Sequence, residues 1–324
     1  MSRAYELDDA HPIRSTGRMR IVIMGAGGLG GYFGARLAAA GNDIAFVARG
    51  AHLAAIREHG LRVESARGDL HLRDVTATDD PATLAQADVV MIAVKLWDTE
   101  AAAEAVKPLV RPGTAVVSFQ NGVSKDEVLT RTLGREAVIG GVGQIGVVIA
   151  SPGVIRHTGT MAKLIFGELD NARTPRVAAL LDACTAAGID AEIAPDINLA
   201  IWQKFAFLVP MSACTASMRS SIGPIRTNPQ TRGFLLDITR EVVAVGQALG
   251  VRLADDFAEE RIRFVETLPP QMTASMQGDL ARGNRLELPW LSGAVVELGR
   301  RVGVPTPLNR AVADILALYV NGTP

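Results

Sequence analysis

Arg20-Ile21-Val22-Ile23-Met24-Gly25-Ala26-Gly27-Gly28-Leu29-Gly30 is the stretch that decides the fold. Four consecutive apolar residues, the signature of a buried strand, run straight into Gly-x-Gly-x-x-Gly, and residues 32–40 then read as a helix. Strand, glycine turn and helix N-terminus in that order make a dinucleotide-binding corner. Gly25 permits the tight turn. Gly27 has no Cβ to keep the backbone away from a pyrophosphate, and Gly30 lets the helix approach the strand. The first N–H groups of the helix, near Gly28, have no intrahelical partner, so they and the helix dipole favour an anion. The glycine spacing alone is a weak signal, because any glycine-rich turn can carry it. The strand before it and the helix after it supply the missing context.

The bulk numbers bound what the corner belongs to. At 324 residues the chain should hold two domains, taking about 150 residues each. It is 48% hydrophobic and 21% charged, enough apolar material for a large core. A net charge of −1 argues against a general nucleic-acid or membrane-surface role, either of which needs a basic excess. Cys184 and Cys214 stand far apart, which speaks against a disulfide framework or a zinc site. The histidines at 11, 52, 59, 71 and 157 form no His-x-x-x-His pair, so no metal is expected. No uncharged apolar run reaches the roughly 20 residues that span a bilayer. Residues 1–18 are polar and mixed in charge, without the apolar centre of a secretory signal, and read as an extension ahead of Met19. The expected location is the cytoplasm.

After the first helix, Gly41-Asn42 is a C-terminal stop and residues 44–48 are a second strand. In a site for NAD an acidic residue stands about 20 positions beyond the glycines, on the ribose hydroxyls. Arg49 stands there instead, nineteen residues after Gly30. A guanidinium suits a 2′-phosphate that a carboxylate would repel, so the expected cofactor is NADP. The bland alternative is a surface arginine. Residues 61–64 and 70–73 alternate apolar with polar and read as a half-exposed hairpin. Residues 88–94 are another buried strand with Lys95 at its end. Residues 99–110 read as a helix, and 115–119 as a strand leading into Gln120-Asn121-Gly122. Ligands of open α/β sheets bind outside the C-terminal strand ends, which makes Lys95 and Asn121 candidate contacts. A strand follows at 137–142, antiparallel strands within 144–167, a helix at 173–187 and a strand at 189–193.

From Asp196, a candidate helix N-cap, strand signals fade. Leu235, Ile238, Val242, Val245 and Leu249 recur at helical spacing. Further helices are expected near 271–282, 288–302 and 306–320. The reading is an α/β protein: an N-terminal Rossmann-type doubly wound sheet over 19–195 that binds NADP, then an all-helical substrate and dimerisation domain over 196–324. The first helix of the second domain places Lys204 alone among apolar neighbours. Burial lowers a lysine from about 10.4 towards the range where it donates a proton. Lysines also snorkel out of such helices routinely. Pro210 is expected to kink or break the helix just before it.

With these residues in view, the chain resembles the ketopantoate reductase (2-dehydropantoate 2-reductase) family over almost all of 19–324. The resemblance is carried by Gly25-Ala26-Gly27-Gly28-Leu29-Gly30, Val94-Lys95, Gln120-Asn121-Gly122 and Trp202-x-Lys204. A C-terminal block adds Ser275-Met276, Asp279, Gly283, Glu287 and Gly303-Val304-Pro305-Thr306-Pro307-Leu308-Asn309. It implies NADPH-dependent reduction of a 2-oxo acid to a 2-hydroxy acid, on the route to pantothenate. It implies Lys204 as the general acid, Glu287 as its acidic partner, and Ser275 on the substrate carboxylate. Asn121 would sit by the nicotinamide and the substrate, and Gly25, Gly27, Gly28, Gly30 and Arg49 would hold the cofactor, with Lys95 near it. Two departures stand out. The family places asparagines four and eight residues after the lysine, on one helix face. Here Leu208 and Ser212 stand there, with Ser212 the remaining polar candidate for substrate. The expected substrate is therefore ketopantoate or a more apolar relative. The alternative is an NADP-binding protein that has lost catalysis and serves a regulatory or binding role. The helical domain leaves room for a homodimer, and neither nucleic acid nor membrane is expected as a partner.

Overall fold

The apolar run 21–23 becomes the middle of the strand β1 (Arg20–Met24), with Ile21, Val22 and Ile23 at most 1% exposed. A continuous apolar strand suits a sheet covered on both faces, as crossover helices require. The computed structural model describes residues 18–323. The extension expected at 1–18 lies outside the described residues, Arg18 apart. The glycine turn leads into α1 (Gly28–Ala39), then β2 (Asp43–Val47), α2 (Gly50–His59), β3 (Leu61–Glu64), β4 (Leu70–Leu72) and β5 (Thr76–Thr78). Next come β6 (Val89–Ile92), α3 (Thr99–Val106), β7 (Ala115–Ser118), α4 (Lys125–Leu133), β8 (Val138–Ser151) and β9 (Val154–Glu168). The α/β part closes with α5 (Pro175–Ala186) and β10 (Asp190–Ile193).

The strands form one sheet in the order β4-β3-β9-β8-β7-β6-β1-β2-β5, with β10 pairing β9. The pairs of β1 with β2 and β6, of β6 with β7, and of β7 with β8 are all parallel. Their C-terminal ends therefore open on one edge. β3 and β4 form the expected hairpin, which docks in parallel on β9. The stretches read separately as 137–142 and within 144–167 are one 14-residue strand and its 15-residue antiparallel return. Gly146 sits inside β8 at a register shift, where an added Cβ would meet Thr158 at 2.8 Å. The gap between the two stretches falls at Gly143, which pairs with Leu164 inside the continuous strand, and the glycine at the bulge is Gly146. The three-residue β5 left no alternating pattern to read.

The rest is helical: α6 (Ile197–Ser217), α7 (Ile222–Thr227), α8 (Pro229–Ala248), α9 (Phe257–Glu266), α10 (Ser275–Ala281), α11 (Ser292–Val302) and α12 (Pro307–Ile315). Asp196 caps α6 by accepting from the Leu199 N–H at 3.0 Å, and the Arg252 guanidinium with that cap holds its carboxyl below the ordinary range. Of the expected kink or break at Pro210, the break does not occur: α6 runs through Pro210 to Ser217. Proline removes one ladder bond, and the burial of nearly every residue from 209 to 216 outweighs that loss. On α8, Leu235, Ile238, Val242 and Val245 are buried. Leu249 lies past the helix end, 41% exposed, so it leaves the apolar face assigned to it. α6 is long and apolar enough to cross a membrane by composition alone, but it is mostly buried inside the protein as a core helix. Cys184 and Cys214 belong to different cores, and burial pushes each thiol up to about 12.

Candidate active site

The glycine corner is built from backbone. Gly25 adopts φ +107°, and a Cβ there would lie 2.8 Å from the Ala93 carbonyl carbon and the Val94 nitrogen. A Cβ on Gly30 would collide with the Gly25 carbonyl oxygen. Gly27, by contrast, has nothing within 4 Å of its Cβ position. It is the N-cap of α1, which carries no side-chain cap and no acidic residue in its first turn. Open space before uncapped N–H groups, without a carboxylate, fits a dinucleotide pyrophosphate. His52 braces the turn: its Nε2 donates to the Ala26 carbonyl at 2.8 Å, while its Nδ1 accepts from the Gly153 N–H at 3.0 Å. That pairing assigns the neutral Nε2–H tautomer.

Arg49 is the N-cap residue of α2, and its side chain is 74% exposed. Its Nη2 donates to Asp98 Oδ2 at 2.8 Å. An exposed pair of this kind is weak, so the guanidinium can exchange its partner for a phosphate. Lys95 is tied elsewhere. Its Nζ donates to Asp279 Oδ2 at 3.0 Å, bridging the end of β6 to α10. Burial works to raise the Asp279 carboxyl, and Lys95, Asn284 and Arg282 together hold it below the ordinary value. The same turn meets the helical part twice more. The Leu96 N–H donates to Glu287 Oε1 at 3.2 Å, and the Arg285 guanidinium lies 4.7 Å from the Trp97 ring centre.

Lys204 projects from the first half of α6 against the ends of the sheet. Its Nζ donates to Asn121 Oδ1 at 2.8 Å and to the Gly143 carbonyl of β8 at 2.7 Å. Burial and the positive charge of Lys125 bring Lys204 down to about 8, while Glu287 acts the other way. Asn121 is placed by its neighbour. The Gln120 Nε2 donates to the Val94 carbonyl at 3.0 Å and to Thr99 Oγ1 at 2.8 Å, locking the turn after β7 to the turn after β6. Beside Lys204 a cavity of about 10 Å³ is lined by Gln120, Lys125, Val142, Ile201, Phe205 and Leu208, among others.

The structure thus brings Lys204 and Asn121 into contact, with Glu287 acting on the same ammonium through its charge. It leaves Ser275 exposed at the start of α10, making no side-chain hydrogen bond among the described residues. Ser212 is 1% exposed, with an unpartnered Oγ, and does not border the cavity. Two features escaped the sequence reading. One is the buried Lys125–Asp126 pair, hidden because Ser124-Lys125-Asp126-Glu127 looks like a solvated helix start. The other is Asp279 as the partner of Lys95, which only the tertiary fold brings together.

Known proteins are similar over the whole of this arrangement. The family model described as Ketopantoate reductase PanE/ApbA matches residues 21–171, and its C-terminal counterpart matches 196–320. A 2-dehydropantoate 2-reductase of Mesorhizobium japonicum is 33% identical, over 92% of this chain and 97% of its own. An oxidoreductase of Bacillus subtilis, described as uncharacterized, is 29% identical over 93% of this chain and 99% of its own. The crystal structure of a PanE/ApbA family ketopantoate reductase from Ralstonia eutropha superposes with a TM-score of 0.85 at 34% identity, covering 93% of this chain and 98% of the other.

Proposed function

The chain belongs to the ketopantoate reductase family, and on that premise we propose that its substrate is ketopantoate or a more apolar 2-oxo acid, with Lys204 as the general acid. The protein is an NADP-dependent oxidoreductase that reduces a 2-oxo acid to the 2-hydroxy acid. NADPH, when bound, supplies the hydride to the carbonyl carbon. Gly25, Gly27, Gly28, Gly30 and Arg49 are the residues we assign to holding it, and Lys95 would stand beside it.

The observation that carries the reading is the Lys204 ammonium held between Asn121 and Gly143. An ammonium has three protons. Two are spent on those acceptors, and the third remains for the oxygen on which negative charge develops. A fixed cationic donor stabilises that charge and then transfers its proton to the alkoxide. Its lowered affinity, about 8, keeps the acid form present at neutral pH while easing the transfer. Glu287 favours the charged form and so offsets burial. Ser275 is proposed for the carboxylate of the substrate, and Ser212 as a polar contact deeper along α6. Leu208, where the family has an asparagine, supports an apolar substituent next to the reacting carbon. The reading includes a cytoplasmic location and a homodimer through residues 196–324.

The test is NADPH oxidation by the purified protein, followed by nicotinamide absorbance, with ketopantoate set against a panel of apolar 2-oxo acids. Saturable turnover on ketopantoate establishes that substrate. Turnover confined to apolar acids assigns the pocket to Leu208. NADPH binding without turnover across the panel overturns the catalytic reading in favour of a binding role.

A further inference from the structure

The first turn of α4 carries a charged side chain that the reaction above leaves unused. Lys125 is only 2% exposed. Its Nζ donates to Asp126 Oδ1 at 2.9 Å and Oδ2 at 3.1 Å. Burial raises the Asp126 carboxyl, and Lys125 pulls it back. A buried ion pair is expensive to form and is weak evidence for stability, so its position calls for a reason. Lys125 borders the cavity that Lys204 also borders, and Asp126 does not. Of the pair, the lysine is the member in the cavity wall. At about 10 Å³ the cavity holds roughly one water, so the space that both lysines border contains little solvent to screen them. The chain has five lysines against twenty-eight arginines, and two of the five meet here. Lysine differs from arginine in that its proton affinity yields to burial and to neighbouring charge.

We propose that Lys125 is a positioning residue for proton transfer: its buried positive charge, in the wall of the cavity shared with Lys204, drives Lys204 to release its proton. The proposal rests on Lys204 being the general acid. Like charges in a poorly solvated space disfavour each other's protonated form. The charges that act on Lys204 are Lys125 from α4, lowering its affinity, and Glu287 from the segment before α11, raising it. β8 and the turn after β7 present the neutral Gly143 carbonyl and Asn121 amide. Lys125 thus opposes Glu287, and the balance of the two sets how readily the proton leaves.

With five lysines in the chain, protein labelled with [6-¹³C]lysine gives a spectrum simple enough to titrate residue by residue, Lys204 being identified by its loss in Lys204→Arg. The Lys204 midpoint, expected at about 8 in the native chain, should rise by about half a unit to one unit in Lys125→Met. The double variant Lys125→Met/Asp126→Asn leaves no unpaired buried carboxylate and is expected to shift the same way. The alkaline fall of kcat/KM for reduction should move upward with the midpoint. Lys125→Arg, which keeps the charge, should leave both in place. A midpoint that stays fixed in folded variants that still bind NADPH overturns the proposal while Lys204 remains the acid. A midpoint that moves while the activity limb stays put overturns Lys204 as the acid, and this role with it.

Discussion

The glycine turn and the lysine cavity both sit at the C-terminal ends of parallel strands, and they are built by opposite means. The turn is backbone: one positive φ at Gly25, one close approach at Gly30, one open position at Gly27, all within six residues. The cavity is side chains drawn from the turn after β7, from α4, from β8 and from α6, with Glu287 acting from a fifth segment. A site made of backbone tolerates little change at its glycines and is indifferent to what lies far away. A site made of distant side chains can change its chemistry by one substitution and keep its fold. The second kind is where a family with one cofactor can vary its substrate.

The sharpest way to separate the two is Lys204→Ala. We expect kcat to fall by about 10²–10⁴, with NADPH affinity unchanged by fluorescence titration. A matching loss of NADPH affinity would break the comparison, because the two regions would then not be independent. The reciprocal change is Arg49→Glu. It should weaken NADPH by roughly ten- to a hundredfold, the worth of a charge-assisted hydrogen bond, and leave NADH almost untouched. Equal losses for both cofactors would remove Arg49 from the 2′-phosphate.

The third prediction concerns pH. The lysine acts as an acid in reduction, so its protonated form is the active one. Its affinity is lowered to about 8, so kcat/KM for reduction should hold below that value. It should then fall about tenfold per unit as pH rises through it. Oxidation of the 2-hydroxy acid needs the neutral amine and should rise over the same interval. A reduction profile flat to pH 10 would contradict the assignment. The smallest effect is expected from Leu208→Asn. It should favour ketopantoate over an apolar oxo acid by about two- to tenfold, one hydrogen bond's worth, measured as a ratio of kcat/KM values.

The same contrast explains what the sequence discloses. The corner was readable because its information is local: four apolar residues, three spaced glycines and a helix lie side by side. α6 was readable from its cap at Asp196 and its apolar length, although the local cost of Pro210 was overrated against the packing of residues 209–216. Lys204 stood out as a single charge in an apolar helix. Lys125 did not, because a lysine beside two acids at a helix start is ordinary on a surface, and only the fold shows it buried. Asp279 meets Lys95 across 184 positions of sequence, a distance no spacing rule covers. Ser275 and Ser212 follow from their place in a pattern, and neither borders the cavity beside Lys204.

Because α6 is continuous, it is also a lever. Its 21 residues make a rod about 31 Å long, at about 1.5 Å each. The rod is clamped near Asp196 by its cap and by the packing of Ile197 and Ile201 against Val142 and Ile165 of the sheet, and its far half is embedded in the helical bundle. Lys204 stands about 12 Å from the clamp. A tilt of about 5° about that clamp would carry the bundle end nearly 3 Å but the ammonium only about 1 Å, a displacement already large enough to govern reactivity. The proline that remains inside the helix leaves the rod unbroken, so a tilt of the bundle end would reach the proton donor at about two-fifths of its amplitude.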